Sequence, residues 1–173
     1  MPRLDAYSRG PWLADAVGDH LLFIAVAMIC GFLGMGAIAE RLGRIGVSTI
    51  HVAFTGMTVF AVVQIALVFQ WTGAVLPTWM LFGFFGASGI LSYAALPRGF
   101  PPALAGRVIT GLNVLTFAGA FAAQWGIGVI INLWPATSDG GYASEGYQAA
   151  FAMMLGLQVL ALAWFVVYRK GKV

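Results

Sequence analysis

Residues 45 to 97 read IGVSTIHVAFTGMTVFAVVQIALVFQWTGAVLPTWMLFGFFGASGILSYAALP, and none of these 53 residues is Asp, Glu, Lys or Arg. At about 20 apolar residues per crossing, the stretch is long enough to span a hydrocarbon core twice. A soluble core has no use for so long an uncharged run. The rest of the chain agrees: 61% of the 173 residues are apolar and 9% charged, with a mean hydropathy of +0.90, whereas soluble domains are roughly a quarter charged. The expected fold class is therefore all-α, a polytopic bundle of membrane helices whose backbone groups are paired within each span.

Charge-free apolar windows fall near residues 21–39, 47–71, 76–96, 108–134 and 148–168, which predicts five transmembrane helices. The first is expected to stop at Ala39, because carrying Glu40 and Arg41 to the bilayer centre costs about 2.5–3.5 kcal/mol each. Between the second and third, Gly73 and Pro77 favour a turn, and Trp71 and Trp79 suit the membrane interface. If the spans alternate, Arg41, Arg44, Arg98, Arg107, Arg169, Lys170 and Lys172 share one side, and the opposite loops hold only the acids Asp139 and Glu145. The positive-inside rule makes the basic side cytoplasmic. Residues 1–20 then form an extracytoplasmic segment and residues 169–173 a cytoplasmic tail. Arg3 and Arg9 oppose this orientation, offset by Asp5, Asp15 and Asp19.

Several function classes find no footing. The net charge of +3 is scattered over short segments between spans rather than gathered into a patch, so no nucleic-acid partner is expected. A lone cysteine, Cys30, allows neither an internal disulfide nor a CxxC motif. Residues 1–20 carry five charges and no apolar core, unlike a signal peptide. No HExxH and no pair of intramembrane carboxylates occurs. A serine nucleophile needs a base and an acid close by, yet on that side His51 is the one candidate base, and Glu40 and Asp139 fall at opposite faces. Neither enzymatic activity, nor a metal, nor a cofactor is expected.

The segment GAIAERLGRIG, residues 36–46, interrupts the apolar runs. Its Gly36, Glu40, Arg41, Gly43 and Arg44 resemble the loop motif G-x-x-x-D-R-x-G-R-K of the major facilitator superfamily of transporters, with Glu40 in place of Asp and Ile45 in place of the last basic residue. In that family the motif joins helices 2 and 3, and again helices 8 and 9. Four spans follow it here, which implies that the chain corresponds to helices 8 to 12, within the C-terminal six-helix half. The stretch FPPALAGRVITGLNVLTFAGAFAAQWGIGVIINLWP likewise looks like helix 11 with its preceding inner loop. The resemblance implies a membrane transporter of an unidentified small solute, sitting in the bacterial plasma membrane, whose binding cavity needs the missing N-terminal half. On physical grounds, Gly36 is expected to allow close helix approach, Gly43 to permit a tight reversal, and Glu40 to pair with Arg41, Arg44 or a partner's helix terminus as a gate latch, the alternative being that the basic residues of a short cytoplasmic loop only hold topology.

Polar residues inside the spans are the candidate substrate path. On the fourth span Thr110, Asn113, Phe117, Gln124 and Asn132 fall within roughly a 100° arc, while Gly111, Ala118, Ala122 and Gly126 lie on another face. Amides facing hydrocarbon without partners are costly, so this stripe is expected to face protein or a water-filled cavity. Ser88, Ser92 and Tyr93, near the inner end of the third span, extend the candidate path. On the second span His51, Thr55 and Thr58 share a face with Gln64 turned away, and His51 is the candidate proton relay. No acid or base lies deep within any span, so any coupling charge must lie elsewhere. A different reading is a small accessory subunit that docks on a larger membrane complex through its glycine and alanine faces. The expected partners are thus the lipid bilayer and either the missing half or another membrane protein.

Overall fold

The computed structural model describes residues 12–71, 73–138 and 140–170. They form helices α1 (Trp12–Arg44), α2 (Thr49–Val68), α3 (Val75–Gly86), α4 (Leu91–Ala95), α5 (Ala105–Ile131) and α6 (Ser144–Lys170). Short 3₁₀ turns at Ala87–Ile90, Leu96–Gly99 and Pro102–Leu104 link the middle elements, and no strand occurs among the described residues. Five helical stretches are long and apolar enough to cross a membrane: Gly18–Arg44, Thr49–Val68, Val75–Gly99, Pro102–Ile131 and Ser144–Tyr168. The chain is an all-α membrane helix bundle.

The first helix does not stop at Ala39 but continues through Glu40 and Arg41 to Arg44. Charge sets where hydrocarbon ends, not where hydrogen bonding ends. Arg41 and Arg44 in the last turn also suit the negative pole of the helix. Of the segment expected to lie outside, residues 12–20 already belong to α1. Arg3, Asp5, Arg9, Asp139 and Lys172 lie outside the described residues.

Reversal after α1 is made by Gly46, not Gly43, which stays helical. Gly46 has φ 92°, its N–H reaches the Gly43 carbonyl, and Val47 N–H reaches the Leu42 carbonyl. These are the two bonds of a Schellman cap, whose left-handed residue is glycine by preference. The same pair of bonds closes α2, from Gln70 to Leu67 and from Trp71 to Ala66, but there the left-handed residue is Gln70, φ 51°. Pro77 sits inside α3 in its first turn, where a missing N–H costs nothing.

Close packing is concentrated between α1 and α3. A Cβ on Gly31 would lie 2.9 Å from the Phe84 Cα and 3.0 Å from the Ala87 Cβ, and one on Gly83 would lie 3.0 Å from the Ile24 carbonyl oxygen. Small residues let backbones meet where lipid supplies no hydrophobic drive between helices. Gly36, by contrast, has nothing within 4 Å of such a Cβ, so it makes no close approach among the described residues. At one end Met35, Ala39, Val52 and Leu91 form a buried cluster with Leu42, Val47 and Phe84 around it. The third span, expected as one helix over residues 76–96, passes through the 3₁₀ turn at Ala87–Ile90, and Ser88 there is fully enclosed.

Contacts fix each helix's direction. Gly83 meets Ile24, Gly31 meets Phe84 and Met35 packs with Leu91, so α1 and α3 run the same way. α2 runs oppositely, since Val52 joins the Met35 cluster while the Phe60 ring meets that of Phe82. Gln148 Nε2 donates to the Val68 carbonyl (2.6 Å) and Gln158 Nε2 to that of Met57 (2.8 Å), which sets α6 antiparallel to α2. α5 runs back along α6, with Gly146 against Ile131. This alternation gathers Arg41, Arg44, Arg98, Arg107 and the end of α6 at one pole of the bundle, leaving Trp71, Tyr142 and Glu145 at the other.

Candidate functional site

α5 meets α6 through residues such as Ala123, Gly126 and Ile127, which are partly buried, with the Met153 methyl 3.8 Å from the Cβ position of Gly126. At 100° per residue the polar arc begins about a quarter turn round the helix from that contact. Asn113, Phe117 and Gln124 are all exposed, Phe117 at 74%. The expected stripe therefore exists as a face, turned away from α6 and uncovered by the described residues. Gly111, on the small-residue face, likewise has open space at its Cβ position.

One cross-helix link reaches the stripe. The Tyr93 hydroxyl lies 2.8 Å from Asn113 Oδ1 and 3.2 Å from Thr116 Oγ1, donating to one or the other. This joins two of the expected residues and adds Thr116, which sequence reading missed because it lies outside the arc. Thr110 and Asn132 behave differently. Thr110 Oγ1 donates to the Gly106 carbonyl (2.9 Å) and Asn132 Nδ2 to that of Gly128 (2.7 Å), so both polar groups are engaged by their own helix.

Ser88 and Ser92 do not join the α5 stripe. They line a separate cavity of about 500 Å³ between α2, α4 and α6, beside Phe54, Phe100 and Phe165. Ser92 Oγ donates to the Gly89 carbonyl (2.6 Å), whereas Ser88 Oγ is enclosed without a partner. The eight residues expected to form one path thus fall into an exposed face on α5 and an inner cavity near α4. Sequence spacing places residues on a face of one helix, but it does not tell which neighbouring helix that face meets.

At the basic pole, Glu40 Oε1 and Arg44 Nη2 form an ion pair of 2.6 Å within the last turns of α1. The motif residues Gly36 to Arg44 are thus helical rather than a loop. Both partners are largely exposed, so the pair adds little stability, about 0–1 kcal/mol, and remains available to other partners. His51 lies in the first turn of α2, hydrogen-bonded through Nδ1 to Ser48 Oγ at 2.7 Å. It is exposed at the basic pole rather than set in either cavity. No group of three or more His, Cys, Asp or Glu able to hold a metal occurs among the described residues.

Gln64, which sequence reading set aside, is the most enclosed amide of the bundle, 4% exposed with its Oε1 unpartnered. It faces a further cavity on the side of the pole that holds Trp71 and Tyr142. The chain matches no protein family, no curated protein and no solved structure.

Proposed function

We propose that these helices are the C-terminal part of a secondary transporter of the major facilitator type, moving a small solute across a bacterial plasma membrane. The observation that carries the reading is the outward polar face of α5: Asn113 and Gln124 are exposed amides at membrane depth, and the one cross-helix link to the face among the described residues is the Tyr93 hydroxyl at Asn113. Left against lipid they are costly, so a water-filled path or further protein must cover them. A solute path between two halves of a transporter supplies that environment. Asn113 and Gln124 are the solute-contacting residues of this reading, with Tyr93 holding the Asn113 amide in place.

The motif at Gly36 to Arg44 and the alternation of five spans support the same assignment. Glu40 and Arg44 serve as an inner-gate latch, free at that exposed pole to exchange partners as the halves rock. With the basic pole cytoplasmic, the chain's start lies outside and its end inside. A proton relay through His51 would act at the cytoplasmic surface, where the imidazole is exposed.

The test is the mass of the native product in its source membranes, detected with an antibody against the tail YRKGKV. A band the size of a twelve-helix chain is expected. A band near 18 kDa, the mass of this chain, with a stoichiometric partner of unrelated sequence would replace the transporter by an accessory subunit docked through α5.

A further inference from the structure

A cavity of about 990 Å³ opens between α2, α3, α5 and α6 at the pole that holds Trp71 and Tyr142. It is distinct from the α5 stripe, and nothing about it depends on the transporter assignment. Its size is at the upper end of the range for small-molecule sites.

Three features define what it accepts. Its wall is aromatic: Phe82 lies 4.8 Å from Phe60, 5.5 Å from Trp79 and 6.2 Å from Phe151, ring centre to ring centre. Among the described residues no Asp, Glu, Lys, Arg or His lines it, so an ionised ligand would be desolvated there without a counter-charge. The third feature is Gln64. The neighbouring amides of Gln148 and Gln158 are tied to the carbonyls of Val68 and Met57, whereas Gln64 sits 4% exposed on the cavity wall with Oε1 unpartnered. Buried amides almost always find partners. Trp71 and Tyr147, both exposed on the same lining, stand at the mouth, as interfacial aromatics do.

We infer that this cavity is a binding site for an uncharged amphiphile, a hydrocarbon body bearing one hydroxyl that hydrogen-bonds the Gln64 amide. A hydroxyl both donates and accepts, so it suits either orientation of that amide. Stacked against Phe82 and Trp79, the hydrocarbon body fills the apolar volume, and entry is from the membrane interface past Trp71 and Tyr147. A membrane lipid with a free hydroxyl and a free long-chain alcohol share this chemistry.

The test is photo-crosslinking of the full native product in its source membranes with a diazirine-bearing hexadecanol. Labelling is expected on peptides from α2, α3 and α6 in excess of the outward face of α5, and weakly or not at all with the matching diazirine fatty acid. Gln64→Leu, which removes the unpaired amide and leaves an apolar side chain, is expected to lower alcohol labelling about fivefold, the loss of one hydrogen bond, with thermal stability retained. Leu157→Trp, a change at a cavity-lining residue 56% exposed, narrows the site and is expected to lower it too. Competition by unlabelled hexadecanol but not by diacylglycerol assigns a free alcohol, and the converse a membrane lipid; either supports the site. Labelling spread evenly over all lipid-facing helices, equal labelling by the fatty acid, or no response to both variants means annular contact only and overturns it. Absence of labelling in the full product means that another protein segment fills the cleft, and overturns it as well.

Discussion

Gln70 holds the left-handed position of the α2 cap that glycine takes after α1. A side chain there costs about 1–2 kcal/mol relative to glycine. Gln70→Gly is therefore expected to raise the melting temperature of the detergent-solubilised protein, by about 1 kcal/mol in stability; a fall would mean that its contact to the Ser144 carbonyl, 3.4 Å, outweighs the strain. Gly31 and Gly36 make an opposed pair. Alanine at Gly31 meets the Phe84 backbone, which has no rotamer to yield, so a loss of about 1–3 kcal/mol is expected. Alanine at Gly36 meets open space, and no loss is expected. Size-exclusion profiles after graded heating measure both. The sequence suggested a close helix approach at Gly36, whereas the close approach is at Gly31. Which glycine is closest was not legible, because that depends on the register between α1 and α3, and register is decided by both helices together.

Among elements, the existence and order of five spans were legible because an uncharged run of this length has few other physical explanations. Their ends were less so. Helices α1 and α6 outrun the apolar windows by several residues because backbone hydrogen bonding continues past the hydrocarbon edge. The third span changes to 3₁₀ at Ala87–Ile90, where Ala87 meets Gly31 of α1 and Ser88 meets Gly56 of α2. The link from Tyr93 to Asn113 was legible only as two polar residues on different spans. It is what ties the inner end of the third span to α5, and a double-mutant cycle with Tyr93→Phe and Asn113→Ala is expected to give a coupling of about 1 kcal/mol. Additive effects of the two changes would mean that the hydrogen bond does not hold these elements together.

In the whole molecule, burial is uneven. Of the most apolar windows of the first three spans 17–22% is buried, against 6% for the last two, so α1, α2 and α3 make the packed centre and α5 projects with its polar face open. The stripe itself was legible from helical spacing, yet its division was not: Thr110 and Asn132 turned to the Gly106 and Gly128 carbonyls of their own helix, and Ser88 and Ser92 went to a separate cavity. The central claim is that Asn113, Phe117 and Gln124 face water in the assembled protein rather than lipid. Its most direct test is cysteine substitution at these three positions, and at Leu115 on the opposite side of α5, in a Cys30→Ala background of the full native product in membranes. The measurement is the rate of reaction with a water-soluble thiol reagent. The account predicts ready reaction at 113, 117 and 124 and none at 115; unreactive cysteines at all four positions would contradict it, since α5 would then be sealed by lipid or by packed protein and no solute path would run along it.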